Sequence, residues 1–111
     1  MTLARSKGIL EEIKKRIVEG VDPDRLVLFG SRARGSSRGD SDYDICVLKE
    51  GVKRRRRLAQ RIYRLLLGVG ASVDVIVETP RRFEELKGNP FMIYSEIAQH
   101  GRVIYEKPRP C

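Results

Sequence analysis

Cysteine and histidine are scarce in this sequence. Its 111 residues include two cysteines, Cys46 and Cys111, and a single histidine, His100. The two cysteines form no pattern typical of a metal site or of a disulfide framework, and the lone histidine near a predicted helix end favours a structural role. We therefore expect a reducing, cytoplasmic setting for the protein.

Long apolar runs are also missing. No stretch approaches the roughly 20 apolar residues needed to cross a bilayer, and residues 1–7 lack the apolar core of a signal peptide. The length fits one domain that spans residues 1–111 and leaves little room for a second. These features exclude a helical membrane protein and predict a single soluble domain.

Positively charged residues, in contrast, are abundant. The chain has 23 basic and 15 acidic residues, a net charge of +8, and residues 53–57 form one unbroken basic block. Such an excess favours anionic partners, namely nucleotides, nucleic acid or an acidic protein surface, without choosing among them. The block also fits a solvated helix start, although its cations would oppose the helix dipole there.

The apolar spacing and the turn-forming residues predict alternating helices and strands. The predicted helices cover residues 3–21, 53–67, 80–86 and 91–100. The predicted strands cover 25–29, 42–48, 73–77 and 102–105, the last at a sheet edge, and residues 30–41 form a loop with room for one helical turn. This order predicts a small α/β domain in which helices flank one mixed β-sheet.

Three aspartates lie at or near the starts of predicted strands. Asp42 and Asp44 are two residues apart, so their side chains project to the same side of a strand. Asp74 joins them if its strand is the neighbour of theirs. Converging carboxylates repel one another, and Mg²⁺, which prefers carboxylate oxygens, removes that conflict. Two such ions can serve an in-line phosphoryl displacement.

The loop before these acids suits phosphate binding. Gly30 permits a sharp turn after the first strand, and Ser31 offers a hydroxyl and a backbone N–H to an anion. Arg32 and Arg34 follow at positions where they could neutralise phosphate charge. The loop is not a Walker A motif, because no Gly-Lys-Ser/Thr follows at the required spacing.

These residues together resemble a known signature. Gly30-Ser31, ten further residues and then Asp42-x-Asp44 resemble the Gly-Ser-x10-Asp-x-Asp motif of the polymerase-beta-like nucleotidyltransferase superfamily. The fuller run from Gly30 to Asp44 is similar to that of its minimal nucleotidyltransferase (MNT) branch, and Asp74 matches the position of the family's third acid. The resemblance covers nearly the whole chain and lacks only a second, substrate-binding domain.

The resemblance implies a function. It implies transfer of a nucleoside monophosphate, AMP from ATP in the first instance, to a hydroxyl, with release of pyrophosphate. Asp42, Asp44 and Asp74 would hold Mg²⁺, Asp74 would also favour loss of the acceptor's proton, and Gly30 and Ser31 would hold the terminal phosphates. Members of the minimal branch often act as antitoxins of HEPN-domain toxins, and some of them modify a tyrosine of the toxin with AMP.

Other interpretations of the same residues remain open. The acids could form a solvated strand entrance, and Arg32 and Arg34 could be ordinary surface charge. The protein could be an antitoxin that acts only by complex formation, or a nucleic-acid binder that uses residues 53–64. Clustered carboxylates without a cation only destabilise a fold, which ranks the enzyme first.

Overall fold

The computed structural model describes residues 2–35 and 42–108, and describes side chains from residue 8 onward. Its helices are α1 (Thr2–Val21), α2 (Ser31–Arg34), α3 (Arg55–Leu65), α4 (Pro80–Leu86) and α5 (Ile93–His100). Its strands are β1 (Arg25–Phe29), β2 (Tyr43–Leu48), β3 (Val73–Glu78) and β4 (Arg102–Glu106). The predicted loop segment 36–41, which includes Asp40, lies outside the described residues.

The four strands form one mixed sheet in the order β3-β2-β1-β4. Strand β1 is antiparallel to both β2 and β4, whereas β2 and β3 are parallel and are joined through α3. The end of β1 and the starts of β2 and β3 therefore meet at one end of the sheet. Helices flank the sheet, which confirms the predicted fold class.

The two faces of the sheet carry separate apolar clusters. One face packs Leu28, Ile45 and Val77 against Ile13 of α1 and Ile62 of α3. The opposite face packs residues of β1 and β2 against α4 and α5 through Val27, Phe29, Cys46, Leu48, Phe83, Tyr94 and Ile97. Strand alternation assigns each residue to one cluster, so β2 is covered on both sides and is the structural centre of the domain.

The ends of the elements follow local chemistry. Helix α1 ends where Asp22 adopts a positive φ of 53° before Pro23, which cannot continue a helix. Helix α4 begins as predicted, because Pro80 occupies its first turn and the Thr79 hydroxyl accepts a hydrogen bond from Arg82 N at 3.2 Å. None of the described helices is long and apolar enough to cross a membrane.

Candidate active site

Asp44 and Asp74 lie side by side at one end of the sheet. They are direct partners in the parallel β2–β3 register, and neighbouring strands are about 4.8 Å apart. Because partner residues in a sheet project to the same face, the two carboxylates lie on the side that α4 and α5 cover. Asp44 is half-buried there and Asp74 is exposed. Strand β3 is the neighbour of β2, so the condition under which Asp74 joins the other acids is met.

The pKa of Asp44 reports the crowding of these acids. Burial raises the pKa of this carboxyl above its usual value, and the charges of Asp74 and Asp42 raise it further. Asp42 itself is exposed and immediately precedes β2. The end of the sheet thus concentrates negative charge from three carboxylates, at a cost that a bound cation would offset.

Gly30 fits closely against the same carboxylate. Its φ of 77° and ψ of −158° belong to a region of backbone space that is essentially restricted to glycine. A Cβ at this position would overlap with Oδ2 of Asp44. Glycine is therefore required at this position for two reasons: the backbone angle of the turn, and the close approach of the turn to the Asp44 carboxylate.

The two candidate arginines diverge to opposite faces of the sheet. Helix α2 begins at Ser31, directly after Gly30, and carries both arginines in its single turn. The Arg32 guanidinium lies 3.9 Å from the ring centroid of Tyr43, whose side chain is buried in the cluster opposite to Asp44. Arg34 instead forms an ion pair with Glu96 of α5, on the side that bears Asp44. Arg34 is thus placed closer to the acids' face than Arg32.

The described residues contain no ready-made metal centre of three side chains. Within 2–35 and 42–108, no group of three or more histidine, cysteine, aspartate or glutamate residues is arranged to hold a metal ion. Mg²⁺, however, is commonly bound through one or two carboxylates, with substrate phosphates and water completing its octahedral shell. The Asp44–Asp74 pair meets that smaller requirement, whereas a site held by all three acids stays a prediction.

A second charged cluster at the other end of β3 was not predicted. Glu78 is fully buried, and its carboxylate accepts hydrogen bonds from Arg55, from the Tyr94 hydroxyl at 3.0 Å and from Thr79 N at 3.0 Å. Burial and the bond to Glu78 raise the pKa of Tyr94 to about 12. The alternation of side chains along β3 could have indicated the position of Glu78, because this residue lies on the same sheet face as Asp74 and Ile76. The cluster ties α3, α4 and α5 to the strand that carries Asp74.

A charged cleft of about 420 Å³ lies away from the aspartates. Asp24, Arg25, Leu48 and Lys107 contribute to its lining. These residues are at the start of β1 and at the ends of β2 and β4, which is the opposite end of the sheet from Asp44. The cleft is therefore separate from the candidate active site.

Three solved structures share the fold. A toxin-antitoxin with AMP-PNP has a TM-score of 0.61 and 22% identity, with 87% of this chain and 73% of that chain covered. A candidate nucleotidyltransferase from Sulfolobus solfataricus has a TM-score of 0.66 and 19% identity, with 93% and 84% covered. A mutant of the toxin-antitoxin MntA-HpeT has a TM-score of 0.60 and 22% identity, with 88% and 72% covered.

The sequence itself matches a family. Comparison with curated proteins finds no match. The family described as "Nucleotidyltransferase domain", in contrast, matches residues 8–104, a span that includes Gly30, Asp42, Asp44 and Asp74. This match confirms the prediction of a nucleotidyltransferase. The chain belongs to the nucleotidyltransferase domain family.

Proposed function

We propose that this chain transfers AMP from ATP to a hydroxyl group, namely a tyrosine of a HEPN-domain toxin whose antitoxin it is. The observation that carries the proposal is the pairing of Asp44 with Asp74 at the sheet end where Gly30 turns the chain. That arrangement joins clustered carboxylates to a tight turn before a helix, which are the two elements that nucleotidyl transfer needs.

The carboxylates suit Mg²⁺, and the family resemblance implies that two such ions bind. The raised pKa of Asp44 arises partly from Asp74 and Asp42, so a divalent cation at this end of the sheet would relieve a repulsion already present. When bound, Mg²⁺ would supply neutralisation of the triphosphate and of the developing charge on the reacting oxygens. We propose Asp42, Asp44 and Asp74 as its protein ligands.

The remaining chemistry is assigned to the chain's own groups. Gly30 and Ser31 would receive the terminal phosphates at the start of α2, and Arg34 would balance their charge. Arg32 is the weaker phosphate candidate, because its guanidinium is stacked on Tyr43. Asp74, the more exposed partner, would accept the proton of the attacking hydroxyl. The oxygen of that hydroxyl would then form a bond to the α-phosphorus, and the bond from that phosphorus to the leaving pyrophosphate would break.

The names of the structural neighbours support the choice of nucleotide and partner. One is a toxin-antitoxin with AMP-PNP, and another is a mutant of the toxin-antitoxin MntA-HpeT. An adenine nucleotide and a toxin partner are therefore the first substrates to test. The tyrosine and the HEPN fold of the partner come from the MNT resemblance of the Gly30–Asp44 motif.

The test is transfer of label from ATP labelled at the α-phosphate to the product of the neighbouring gene. Mg²⁺ should be required, and the Asp42→Asn/Asp44→Asn variant should transfer at least about 100-fold less label than the wild type. The matched control is Glu84→Gln/Glu85→Gln, which also removes two negative charges, at exposed positions of α4.

Three outcomes would count against the proposal. Equal transfer by the aspartate variant would place the chemistry elsewhere. Full neutralisation of the partner in cells by the same variant, without label transfer by the wild type, would favour an antitoxin that acts by complex formation alone. Loss of transfer in both double variants would indicate a general effect of charge and would also count against the assigned roles.

A further inference from the structure

The segment between Glu50 and Asp74 contains no acidic residue. It carries seven cations, of which six are arginines: Lys53, Arg54, Arg55, Arg56, Arg57, Arg61 and Arg64. These residues lie on α3 and immediately before it. The chain's net charge of +8 is therefore concentrated on one helix that nucleotidyl transfer, as proposed above, does not use.

Most of these cations have no partner within the described chain. Arg55 pairs with the buried Glu78, and Arg61 donates a hydrogen bond to Gly20 O at 2.9 Å. The side chains of the other five form no hydrogen bond or ion pair in the part of the chain that the structure describes: Lys53, Arg54, Arg56, Arg57 and Arg64. All five are exposed.

The position of the cations on α3 costs stability. Arg54 is the N-cap residue and makes no side-chain cap hydrogen bond, and no acidic residue lies in the first turn. Each positive charge near a helix N-terminus opposes the helix macrodipole and so lowers the stability of the helix. Glu78 compensates Arg55 alone, so an external anion would relieve the remaining repulsion.

Four arginines form a line along the helix. Arg54, Arg57, Arg61 and Arg64 recur at intervals of three or four residues and so lie on one face. They extend over ten residues, or about 15 Å, which matches about four phosphates of a stacked single strand. We call Lys53 and these four arginines the α3 cationic surface.

A shallow groove of about 300 Å³ accompanies the first part of this surface. Apolar and cationic residues line it, including Val52, Lys53, Arg54, Arg57, Leu58 and Arg61. Glu50 is the acid that contributes to its lining. A lining of cationic and apolar residues suits a ligand with a charged backbone and flat apolar groups, such as nucleotides in a strand.

We propose that the α3 cationic surface binds single-stranded RNA through its phosphate backbone. The positive charge of this surface favours a polyanion as its ligand. The high density of that charge favours nucleic acid over an acidic protein. Nucleic-acid interfaces are more polar and far more positive than protein–protein interfaces. Arginine, which predominates here, pairs with phosphate through two parallel hydrogen bonds. This site is independent of the aspartates.

The experiment measures binding of a short fluorescein-labelled single-stranded RNA by anisotropy over a series of salt concentrations. The Arg54→Gln/Arg57→Gln/Arg64→Gln variant removes three positive charges from the surface. The matched control is Lys15→Gln/Lys87→Gln/Arg102→Gln, which removes three charges at exposed positions outside it. A third variant replaces the three surface arginines with lysine and keeps the charge.

The glutamine variant should bind at least about tenfold more weakly at 0.1 M salt, and its log–log salt slope should fall by about 2. The control should stay within about twofold of the wild type, and the lysine variant should retain most of the affinity because phosphate binding depends mainly on charge. Equal weakening in the surface variant and the control would overturn the proposal, as would an absence of RNA binding by the wild type. Unchanged RNA binding with loss of a protein complex would assign the surface to a protein partner instead.

Discussion

Asp44 and Asp74 are register partners across the only parallel strand pair among the described residues. Their carboxylates share the sheet face that α4 and α5 cover, and each raises the local concentration of negative charge. Titratable side chains that are held close together despite their mutual repulsion are typical of functional sites. This relationship underlies the predictions that follow.

The first prediction concerns pH and stability without divalent cations. The folded-state pKa of Asp44 is raised, so its contribution favours folding below the unfolded value of about 3.9 and is lost as pH rises through the folded value. The Asp44→Asn variant should therefore gain thermal stability relative to the wild type between pH 3 and pH 7. Melting curves of both proteins across that range provide the measurement.

Addition of Mg²⁺ at neutral pH should reverse this order. The cation should raise the melting temperature of the wild type and leave Asp44→Asn nearly unchanged, because ligand binding stabilises the form that binds it. An equal rise in both proteins would place the bound cation away from Asp44.

Two glycines provide a second prediction. Gly30→Ala should destabilise the fold by about 1–3 kcal/mol and should lower the transfer rate by about 100-fold, because the new Cβ displaces the Asp44 carboxylate. Gly35→Ala is the matched control. Its φ of 73° is similarly positive, but its Cβ would meet no atom of the described residues within 4 Å. Loss of stability without loss of transfer is the result expected for Gly35, and a comparable loss of transfer in both variants would refute the role of the Gly30–Asp44 contact.

Arg34 allows a third prediction that separates binding from stability. Its ion pair with Glu96 is partly exposed, and such pairs contribute no more than about 1 kcal/mol. Arg34→Gln should thus change the melting temperature little while it raises the KM for the nucleoside triphosphate. Arg25→Gln, which breaks the similarly exposed pair with Glu106 at the opposite sheet end, should leave that KM unchanged. An unaltered KM in Arg34→Gln would remove this residue from the phosphate site.

The buried carboxylate of Glu78 leads to a fourth prediction. Arg55→Ala leaves Glu78 with the Tyr94 hydroxyl, Thr79 N and a weaker contact to Arg82 at 3.6 Å, and should cost about 1–3 kcal/mol. Arg56→Ala, next to it in the first turn of α3, removes an exposed side chain and should be near neutral. Chemical denaturation of both variants provides the comparison. Equal stabilities would show that Glu78 does not depend on Arg55.

Local chemistry made most of the fold predictable. Short apolar runs bounded by turn-forming residues placed β1, β2 and β3 within one residue of their observed bounds, and Thr79-Pro80 marked the start of α4. The prediction for α5 was wrong by two residues. Asn89 Oδ1 accepts a hydrogen bond from Phe91 N at 3.0 Å, so the chain first makes a turn, and the helix begins at Ile93.

The bounds of α3 and the residues that surround the site could not be predicted without the tertiary structure. The helix predicted over 53–67 begins two residues later, at Arg55, and ends two residues earlier, at Leu65. Two glycines at positive φ, Gly68 and Gly70, continue the turn after it. The partnership of Asp44 with Asp74 depended on strand order, which sequence spacing leaves open. The ion pair between Arg34 and Glu96 joins residues 62 positions apart, and no local pattern encodes such a contact.

The central claim is that the aspartates at this sheet end hold the metal that the nucleotide uses. The direct measurement is the anomalous difference density of Mn²⁺ in crystals grown with a non-hydrolysable ATP analogue. The account predicts a manganese peak within coordination distance of Asp44 and a second of the three acids, with the triphosphate beside Gly30 and Ser31. Manganese and nucleotide bound in the cleft near Arg25, with the aspartates unliganded, would contradict it.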